Sequence, residues 1–414
     1  MTVRHARPLV VVGGGLAGLA AAVTAQRAGL ATCLVEQQPA LRGPRRLLAA
    51  VAASGVETWP ETAVWGIWGR DLALCGPRGQ SAILTFEQLI VASGAFARPV
   101  AFPGWTLPGV ITVGSESDVL EPAIAPGQRV VVAGYGPFVA AAARDLQQHG
   151  IEPLAVLDAA ARDGRLVVRA AGDGHLQRVV SARSAPDWSP QPGTEQVIDP
   201  VDALVLAFGR LPEDQLARLA GCALDSRPFV DPHLRRDAWL RSSVPGVLVA
   251  GDAGGIVGAA AAVDQGRLAG LAAALDAGTI EPQPAERLAR PIRRRLADRP
   301  LLAASPRPGL FALADPETVI CRCEHVTAGH LAERRFAGSI EPGPLIAETR
   351  AGMGICQGRQ CASLIAATIA RHAGLPIEHI PPITPRPPIV PVPLGAIAER
   401  PPMFPPLVEP AAAL

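Results

Sequence analysis

The sequence predicts an α/β protein that contains two nucleotide-binding folds, a small helical module around four cysteines and a Pro-rich extended tail. Two strand–turn–helix–strand units, each with a Gly-rich turn, start near residues 8 and 129. Cysteines cluster between residues 321 and 361, and prolines crowd residues 381–410. With 414 residues the chain has room for two or three domains. Its abundant Ala and Gly suit close packing of helices on a sheet.

Composition and charge narrow the class of protein. The chain carries 38 basic residues, all of them Arg, and 37 acidic residues, so its formal net charge is +1. A nearly neutral chain argues against nucleic acid or an anionic membrane as the main partner. Three glycines and the pair Gln26–Arg27 interrupt the apolar stretch 9–34, so we expect a buried strand and helix there, and neither a signal peptide nor a membrane span. Seven cysteines with clustered spacing indicate a reduced, metal-binding protein of the cytoplasm.

The first Gly-rich turn has the pattern Gly13-x-Gly15-x-x-Gly18 between the apolar strand Leu9–Val12 and a helix. In this pattern the first glycine permits a tight turn, the second lets the backbone approach a pyrophosphate, and the third lets the helix lie close to the sheet. Glu36 ends the next strand, where a carboxylate accepts ribose hydroxyls. A purely structural glycine turn does not account for that carboxylate. The predicted dinucleotide contacts are Gly13, Gly15, Leu16, Ala17, Gly18, Glu36 and Gln37.

The second Gly-rich turn is less complete. Gly134-x-Gly136 has Val139 in place of the third glycine, although Asp158 ends the following strand as an acceptor for a ribose. The next predicted strand starts at Leu166, and the gap before it is too short for the crossover helix that a parallel pair requires. We therefore expect an abridged second fold that does not bind NAD(P). It would be either a structural remnant or a site for another nucleotide.

Four cysteines form two pairs, Cys321-x-Cys323 and Cys356-x4-Cys361, within one predicted module. Zinc sites usually have a two-residue knuckle in each half, whereas [2Fe–2S] clusters accept varied Cys spacings. Glycines around the second pair would expose backbone N–H groups to cluster sulfurs; they are Gly352, Gly354 and Gly358. The spacing favours a [2Fe–2S] cluster held by Cys321, Cys323, Cys356 and Cys361. Zinc ligation and simple buried thiols are the alternatives.

The other cysteines and two nearby histidines have simpler interpretations. His325 and His330 could replace a ligand, as in Rieske centres, but four cysteines already suffice. We therefore expect both histidines at the surface or beside the ligands. Cys33, Cys75 and Cys222 are isolated in the sequence, and we expect them to behave as small buried hydrophobic residues.

Two further motifs resemble those of the two-dinucleotide-domain oxidoreductases. Ser93-Gly94-Ala95, at the end of a strand, resembles that family's second flavoprotein signature, and Gly251-Asp252 ends a late strand before an Ala-rich helix. In the FAD folds of that family this Asp takes the ribityl hydroxyls. The resemblance implies FAD, with Ser93, Gly94, Gly251 and Asp252 among its contacts. No Cys-x-x-Cys or Cys-x4-Cys pair lies near these segments, which excludes disulfide-reductase chemistry.

The cysteine module supports a narrower resemblance through residues 321–327 and 349–361, and it continues in Phe208–Pro212, Arg386–Pro388 and Pro391–Gly395. These segments resemble the α subunits of heteromeric flavin-dependent amino-acid and opine dehydrogenases. That group includes opine oxidases, D-hydroxyproline dehydrogenase and hydrogen cyanide synthase. The module itself is similar to the [2Fe–2S] domain of bacterioferritin-associated ferredoxin. The resemblance covers nearly the whole chain.

This resemblance implies a division of labour between subunits. A β subunit similar to D-amino-acid oxidases would hold its own FAD and oxidise an amino acid or secondary amine. Electrons would then pass through the cofactors of this chain, in some members with an FMN at the α–β interface, and often through a small ferredoxin-like γ subunit to a downstream acceptor. The chain itself would carry no catalytic residues for the amine. It would lie in the cytoplasm, or at the cytoplasmic membrane face through the complex.

The expected domain organisation follows from these motifs. We expect a discontinuous FAD-binding domain of residues 1–115 and 230–280, an abridged NAD(P)-binding-like domain of residues 116–229, a linker of residues 281–310, a [2Fe–2S] domain of residues 311–378 and a Pro-rich extended tail of residues 379–414.

One departure from the family concerns the segment after Glu36. The family usually continues into Gly-Gly-Gln there, whereas this chain has Leu41–Arg45, so the flavin contacts of this segment stay open.

Two other functions compete with the electron-transfer subunit. A stand-alone NAD(P)H:acceptor oxidoreductase would use both nucleotide folds, and rapid flavin bleaching by NADH or NADPH would favour it. An assembly scaffold would have a vestigial flavin site and a zinc module, and it would be colourless.

Overall fold

A computed structural model of the chain describes residues 3–113, 124–227, 230–299, 307–333 and 340–398. The helices are α1 (Leu16–Arg27), α2 (Arg45–Ser54), α3 (Gly136–Gln148), α4 (Gln215–Leu219), α5 (Ala259–Asp276), α6 (Pro282–Ala297), α7 (Ala328–Glu333), α8 (Pro342–Thr349), α9 (Ala362–Ala373) and α10 (Leu394–Ala398). The strands are β1 (Val3–Val12), β2 (Thr32–Val35), β3 (Glu57–Trp59), β4 (Ala63–Trp68), β5 (Asp71–Cys75), β6 (Ser81–Val91), β7 (Ala95–Ala97), β8 (Val110–Thr112), β9 (Val130–Gly134), β10 (Ala155–Asp158), β11 (Arg165–Ala171), β12 (Arg178–Arg183), β13 (Gln196–Ile198), β14 (Ala203–Ala207), β15 (Arg210–Pro212), β16 (Leu224–Arg227), β17 (Val230–Leu234), β18 (Val247–Val249), β19 (Val319–Cys321) and β20 (Val326–Thr327). This mixed α/β architecture confirms the predicted fold class.

The first nucleotide-binding fold is a seven-stranded sheet in which β3, β2, β1, β6 and β18 run parallel. Along β1, Leu9 and Val11 face one core while Val10 and Val12 face the other, as expected for a parallel strand covered on both sides. Strand β6 is a single long element of the sheet. Its first half pairs antiparallel with β5, and its second half pairs parallel with β18.

Small residues bring helices α1 and α5 into close contact on one face of this sheet. A Cβ atom at Gly266 would lie only 2.1 Å from the carbonyl oxygen of Ala17. Ala21 and Ala273 in the same helices are fully buried. Because small side chains let the two backbones approach, the turn before α5 lies beside the turn before α1. This approach places the two predicted flavin motifs together.

The second nucleotide-binding fold is small. Its parallel sheet has the strand order β10-β9-β14-β8, and after β10 the chain passes directly into a separate antiparallel sheet, β11-β12-β13. The segment between Asp158 and β11 therefore contains no crossover helix, as its short length predicted. An antiparallel ladder between β7 and β15 joins this fold to the first one.

The cysteine module packs directly on the second fold. Helices α7, α8 and α9 and the short β19–β20 ladder form the described part of the module. Tyr135 and Trp188 of the second fold belong to the same hydrophobic core as Cys321, Cys361 and Ile365 of the module. A continuous core fixes the position of the module relative to the second fold.

The range 281–310, which the sequence predicted to be a linker, contains helix α6. Two prolines are tolerated in its first turn because the N–H groups there have no partner inside the helix. Ala285, Ala289 and Ile292 recur with helical spacing and are buried against the first fold. The prediction gave too much weight to the number of Pro and Arg residues and too little to this spacing. Residues 300–306 lie outside the described part of the chain.

The Pro-rich tail runs over the antiparallel part of the first sheet. Residues 381–393 contain no regular element, as the prolines predict, and the N–H of Ile389 donates to the carbonyl oxygen of Trp65 at 2.9 Å. The expectation that no helix forms in the tail is wrong for Leu394–Ala398. Those five residues lack Pro, and Ala396 packs in a small core with Trp65 and Ala73. Residues 399–414 lie outside the described residues.

Candidate functional site

The first Gly-rich turn joins β1 to α1. Gly13 has φ +107°, and a Cβ atom there would lie 2.3 Å from the carbonyl oxygen of Ala92. A Cβ atom at Gly18 would lie 1.8 Å from the carbonyl oxygen of Gly13. Gly15 differs, because no protein atom of the described chain lies within 4 Å of where its Cβ would be. Packing within the protein therefore requires Gly13 and Gly18, whereas Gly15 leaves open space of the kind that a pyrophosphate needs.

Glu36 lies directly after β2, beside this turn. Its Oε2 atom accepts the N–H of Gly14 at 2.5 Å, and its Oε1 atom accepts the N–H of Gln38 at 2.7 Å. These bonds hold the carboxylate at the end of the parallel strands, where the ribose acceptor was predicted. Gln37 is exposed and lines a small cavity of about 670 Å³ together with Glu61.

The turn at Gly251-Asp252 meets the first turn across the contact of α1 and α5. A Cβ atom at Gly251 would lie 2.7 Å from the Cβ of Ala17. Asp252 Oδ1 accepts the N–H of Val257 at 2.8 Å, and its Oδ2 lies 2.7 Å from the guanidinium of Arg210. Sequence analysis assigned no role to Arg210, although it noted the segment 208–212 as part of the family resemblance. The ion pair connects the second fold to the predicted flavin turn.

Arg236 stabilises the turn at Gly251-Asp252 through hydrogen bonds. Its Nη1 atom donates to the carbonyl oxygen of Val249 at 3.1 Å and to Oε1 of Gln265 at 3.0 Å, and this Oε1 also accepts the N–H of Gly251. Burial lowers the pKa of Arg236 to about 10, which leaves the guanidinium charged at neutral pH. No sequence motif had singled out this residue. Its position shows that the turn is held by a buried cation and a buried amide.

Ser93 and Gly94 link the first fold to the cysteine module. Ser93 Oγ donates to the carbonyl oxygen of Glu213 at 2.6 Å, and the N–H of Glu213 donates to the carbonyl oxygen of Gly94 at 2.9 Å. The Glu213 carboxylate accepts a short hydrogen bond from Nε of Arg359. Arg359 Nη1 in turn donates to the carbonyl oxygen of Cys356 at 3.3 Å. A short path of hydrogen bonds therefore runs from the flavin signature to a predicted cluster ligand.

The four predicted cysteine ligands converge in the module. Cys321 ends β19 and Cys361 precedes α9, and both are buried, whereas Cys323 and Cys356 are partly exposed. The thiols of Cys321 and Cys361 influence each other electrostatically, and so do those of Cys323 and Cys356. Cys361 also interacts electrostatically with Cys323 and Cys356. In the described chain no three His, Cys, Asp or Glu side chains are arranged to hold a single ion. The four sulfurs form two pairs.

Two pairs of sulfurs match the chemistry of a [2Fe–2S] cluster, in which each iron takes two protein ligands. A hydrogen bond from the Cys361 thiol, with further N–H donors from Gly352, Glu324 and Cys323, lowers the pKa of Cys321 to about 5. The pKa of Cys361 is raised, chiefly because its thiol donates that bond. Burial raises the pKa of Cys356, although N–H groups of Gln360 and Gly358 also point to its sulfur. Backbone N–H groups directed at sulfur are typical surroundings of an iron–sulfur cluster.

A glycine allows the second cysteine loop to approach the first. A Cβ atom at Gly354 would lie 2.2 Å from the Cβ of Cys323. Gly352 and Gly358 adopt φ values of +86° and +84°, which favour glycine. The glycines around the cysteines are therefore needed by the backbone of the loop itself. His325 is exposed and His330 is partly exposed.

A cavity of about 1020 Å³ lies where the second fold, the cysteine module and the tail meet. Its polar lining includes Arg98, Asp214, Arg218 and Arg359. Asp214 lies 3.5 Å from the guanidinium of Arg218, and burial raises the pKa of this carboxyl to about 6. Arg218 also donates to the carbonyl oxygen of Ile383 at 2.6 Å, which holds the tail over the cavity. The size lies at the upper end of the range of cofactor and ligand pockets.

Aromatic side chains pack beside the second Gly-rich turn. The N–H of Gly136 donates to Asp158 Oδ1 at 2.9 Å, just as the N–H of Gly14 donates to Glu36 in the first turn. The Tyr135 ring is 4% exposed and lies 4.8 Å, between ring centroids, from Trp188. Gly309 fits against Ser189, where a Cβ atom would lie 2.1 Å from the Ser189 nitrogen. Aromatic side chains and the segment before the cysteine module therefore pack around this turn.

Sequence comparisons agree with this geometry. Residues 7–266 match the family model "Pyridine nucleotide-disulphide oxidoreductase", and residues 348–400 match "Sarcosine oxidase A3 domain". The HcnB subunit of hydrogen cyanide synthase from Pseudomonas protegens is 30% identical over 94% of this chain and 96% of its own length. An opine oxidase subunit of Agrobacterium tumefaciens is 30% identical over 95% of this chain and 92% of its own. These matches confirm the resemblance drawn from the motifs.

Structural comparison supports the same fold. The L-proline dehydrogenase of P. horikoshii superposes with a TM-score of 0.77 at 22% identity, covering 96% of this chain and 80% of that one. Within the described residues, no helix is both long and apolar enough to cross a membrane. The family implies FAD, and the named relatives are subunits of larger enzymes. The chain belongs to the pyridine nucleotide–disulphide oxidoreductase family of flavin-dependent oxidoreductases, together with these subunits of opine oxidase and hydrogen cyanide synthase.

Proposed function

We propose that this chain is the FAD- and [2Fe–2S]-containing electron-transfer α subunit of a heteromeric amino-acid or secondary-amine dehydrogenase. The observation that carries the proposal is the path from Ser93 through Glu213 and Arg359 to Cys356. This path holds the flavin fold and the cysteine loop in a fixed relation, and the shared core of module and second fold reinforces it. A rigid arrangement of that kind suits electron transfer between two cofactors in one chain.

The FAD site would use the two turns that α1 and α5 bring together. Gly15 leaves room for the pyrophosphate at the N-terminus of α1, whose free N–H groups favour an anion. Glu36 would accept the ribose hydroxyls and Asp252 the ribityl hydroxyls. Leu16, Ala17, Gln37, Ser93 and Gly94 would complete the contacts, and Gly13, Gly18 and Gly251 would shape the site. Bound FAD would supply two-electron uptake and one-electron release.

Cys321, Cys323, Cys356 and Cys361 would ligate the [2Fe–2S] cluster, with a buried sulfur pair toward one end and a partly exposed pair toward the other. The N–H groups around Cys321 and Cys356 would stabilise the negative charge on the sulfurs. Because Cys323 and Cys356 are the more exposed pair, they would face the route on which electrons enter or leave the module. The proposed domain organisation assigns residues 311–378 to the [2Fe–2S] domain. Residues 116–229 form the abridged second fold, on which that domain packs.

An FMN would fit the proposal as a further cofactor of the complex. The 1020 Å³ cavity beside Gln357 and Arg359 has the volume for it, and its lining includes Arg98 in addition to the ion pairs Arg218–Asp214 and Arg359–Glu213. Two buried oxygens that face no protein donor in the described chain, Gln215 Oε1 and Ser363 Oγ, lie in residues that line the same cavity. NAD(P) is not part of the proposal, because the second turn has Val139 in place of the third glycine and the chain passes from β10 directly into an antiparallel sheet.

The subunit names of the relatives support the presence of partner subunits, and the family resemblance suggests their kinds. A β subunit similar to D-amino-acid oxidases would bind and oxidise the amine, and a small ferredoxin-like γ subunit would carry electrons to a downstream acceptor. Neither step requires a catalytic residue on this chain. The complex would lie in the cytoplasm or at the cytoplasmic face of the membrane.

Anaerobic stopped-flow mixing tests the direction of electron entry. We expect the purified complex to show flavin bleaching with at least one of octopine, nopaline, D-hydroxyproline or L-proline. We expect no comparable bleaching with NADH or NADPH, because the second turn has Val139 in place of the third glycine and no crossover helix follows Asp158. Rapid bleaching by either nicotinamide nucleotide would instead support a stand-alone NAD(P)H:acceptor oxidoreductase.

A further inference from the structure

Helix α6 presents a basic surface that the electron-transfer role does not use. Its buried stripe consists of Ala285, Ala289 and Ile292. Arg287, Arg290 and Arg294 are exposed and are spaced by three and four residues. At 3.6 residues per turn this spacing places the three arginines on one side of the helix, opposite the buried stripe. They therefore point directly away from the protein.

Among the described residues, these three arginines have no acidic partner. Within the described residues, no carboxylate forms an ion pair with Arg287, Arg290 or Arg294, whereas the neighbouring Arg293 pairs with Glu286. The positive charge continues beside them. Three further arginines share the single carboxylate of Asp264, at 3.6, 2.8 and 3.5 Å; they are Arg267, Arg295 and Arg299. Because the whole chain has a net charge of only +1, this surface is a local concentration of charge.

The helix dipole does not explain the whole row. Basic residues near the end of a helix, such as Arg294, interact favourably with the terminal carbonyl groups. Arg287 and Arg290 lie in the first two-thirds of the helix, where no such gain exists. Like charges three or four residues apart also repel each other. Glu286 and Asp298, four residues from Arg290 and Arg294, offset part of this repulsion, and the row keeps an excess of positive charge.

We infer that the α6 face, defined as Arg287, Arg290 and Arg294, docks an acidic surface of a partner subunit. The inference rests on the proposed function, which makes this chain one subunit of a complex. Arg is enriched in protein interfaces, and Leu288, which is 51% exposed, lies beside the row, between it and the buried stripe. A membrane surface fits less well, because basic amphipathic helices insert their apolar face, and here that face is buried in the protein.

Site-specific photo-crosslinking locates the interface directly. The full chain, tagged and expressed in its source cells, would carry p-benzoylphenylalanine in place of Leu288. We expect irradiation of the purified complex to join this position covalently to another subunit of the same complex. The matched control places the same residue at Val197, which is 63% exposed and lies on β13. Equal crosslinking from both positions, or none from position 288 in an intact complex, would overturn the inference.

Charge reversal provides the second test. The triple variant Arg287→Glu, Arg290→Glu, Arg294→Glu should retain at least tenfold less partner subunit during purification in moderate salt. The control triple variant Arg162→Glu, Arg178→Glu, Arg183→Glu changes three exposed arginines on the second fold and should keep its partners. If the α6 variant keeps its partners but loses binding to vesicles of phosphatidylserine and phosphatidylcholine, the surface faces a membrane and the inference is wrong.

The flavin and iron content of the variants separates this inference from the proposed function. The α6 variant should keep its visible spectrum unchanged, because α6 touches neither the Gly-rich turns nor the cysteines. A chain without iron would end the electron-transfer proposal whatever happens to docking. A chain with full flavin and iron but unchanged subunit retention would end only the docking inference.

Discussion

Replacing Cys356 with Ser is expected to remove the cluster while leaving FAD in place. Cys356 is one of two partly exposed sulfurs, and its sulfur accepts backbone N–H groups that a bound cluster would also use. Removing a residue that hydrogen-bonds to a metal ligand lowers metal affinity or activity by about 10–100-fold. Removing the ligand itself should lower them further. We therefore expect substrate-dependent reduction of the downstream acceptor to fall by roughly hundredfold or more. Electron paramagnetic resonance of the dithionite-reduced chain, separated from any ferredoxin-like subunit, should show loss of the reduced-cluster signal.

The matched control for this variant is Cys222→Ser. Cys222 is a buried, isolated cysteine whose thiol already lies 3.2 Å from Ser242 Oγ, so a hydroxyl there keeps a hydrogen-bonding partner. The control should retain its signal, its iron and its turnover. If Cys356→Ser also retained all three, the assignment of the four cysteines as ligands would have to be abandoned.

Gly15→Ala is expected to weaken FAD binding without unfolding the chain. A Cβ atom at this position meets no described protein atom within 4 Å, and the backbone there is extended, so the folded apoprotein should tolerate it. The methyl group would occupy the space that we assign to the pyrophosphate and would weaken at least one charge-assisted hydrogen bond. Such a bond contributes about 1.5–3 kcal/mol, which corresponds to roughly ten- to a hundredfold weaker binding. Fluorescence titration of the deflavinated complex measures the dissociation constant.

Gly395→Ala is the control for this glycine variant. Gly395 also has open space at its Cβ position, and it lies in α10, far along the chain from the Gly-rich turns. Its FAD affinity and its thermal unfolding temperature should match those of the unchanged chain. Full FAD affinity in Gly15→Ala would show that the cofactor does not lie against this turn. An unfolded Gly15→Ala variant would contradict the claim that the space is free.

Much of the first fold could be predicted because its signals are local. The Gly-rich turn could be predicted because its glycines lie between β1 and α1. The apolar run before Gly13 indicated a strand that is buried on both sides. Asp158 and Leu166 are so close in sequence that the abridged second fold followed from chain length alone. The helix after Asp252 was predicted from its run of small residues. In each case the physical constraint acts within about twenty residues of the chain.

Contacts between distant segments were the part that the sequence did not reveal. Arg210 and Asp252 are separated by more than forty residues, and neither has a spacing that indicates the partner. The same holds for Glu213 and Arg359, which the structure brings together across the two folds and the module. Long-range ion pairs depend on the final packing, which residue spacing does not encode. Helix α6 was missed for another reason, because its Ala stripe is hidden among Pro and Arg residues.

The most direct measurement of the central claim is metal analysis of the purified wild-type complex. Inductively coupled plasma mass spectrometry and acid-labile sulfide assay would be run on the same sample. The account predicts at least two iron atoms and two sulfides for each copy of this chain, together with bound FAD, and two fewer of each in Cys356→Ser, because a ferredoxin-like subunit would contribute iron of its own. Stoichiometric zinc without iron or labile sulfide would contradict it, and the cysteine module would then be a structural zinc site.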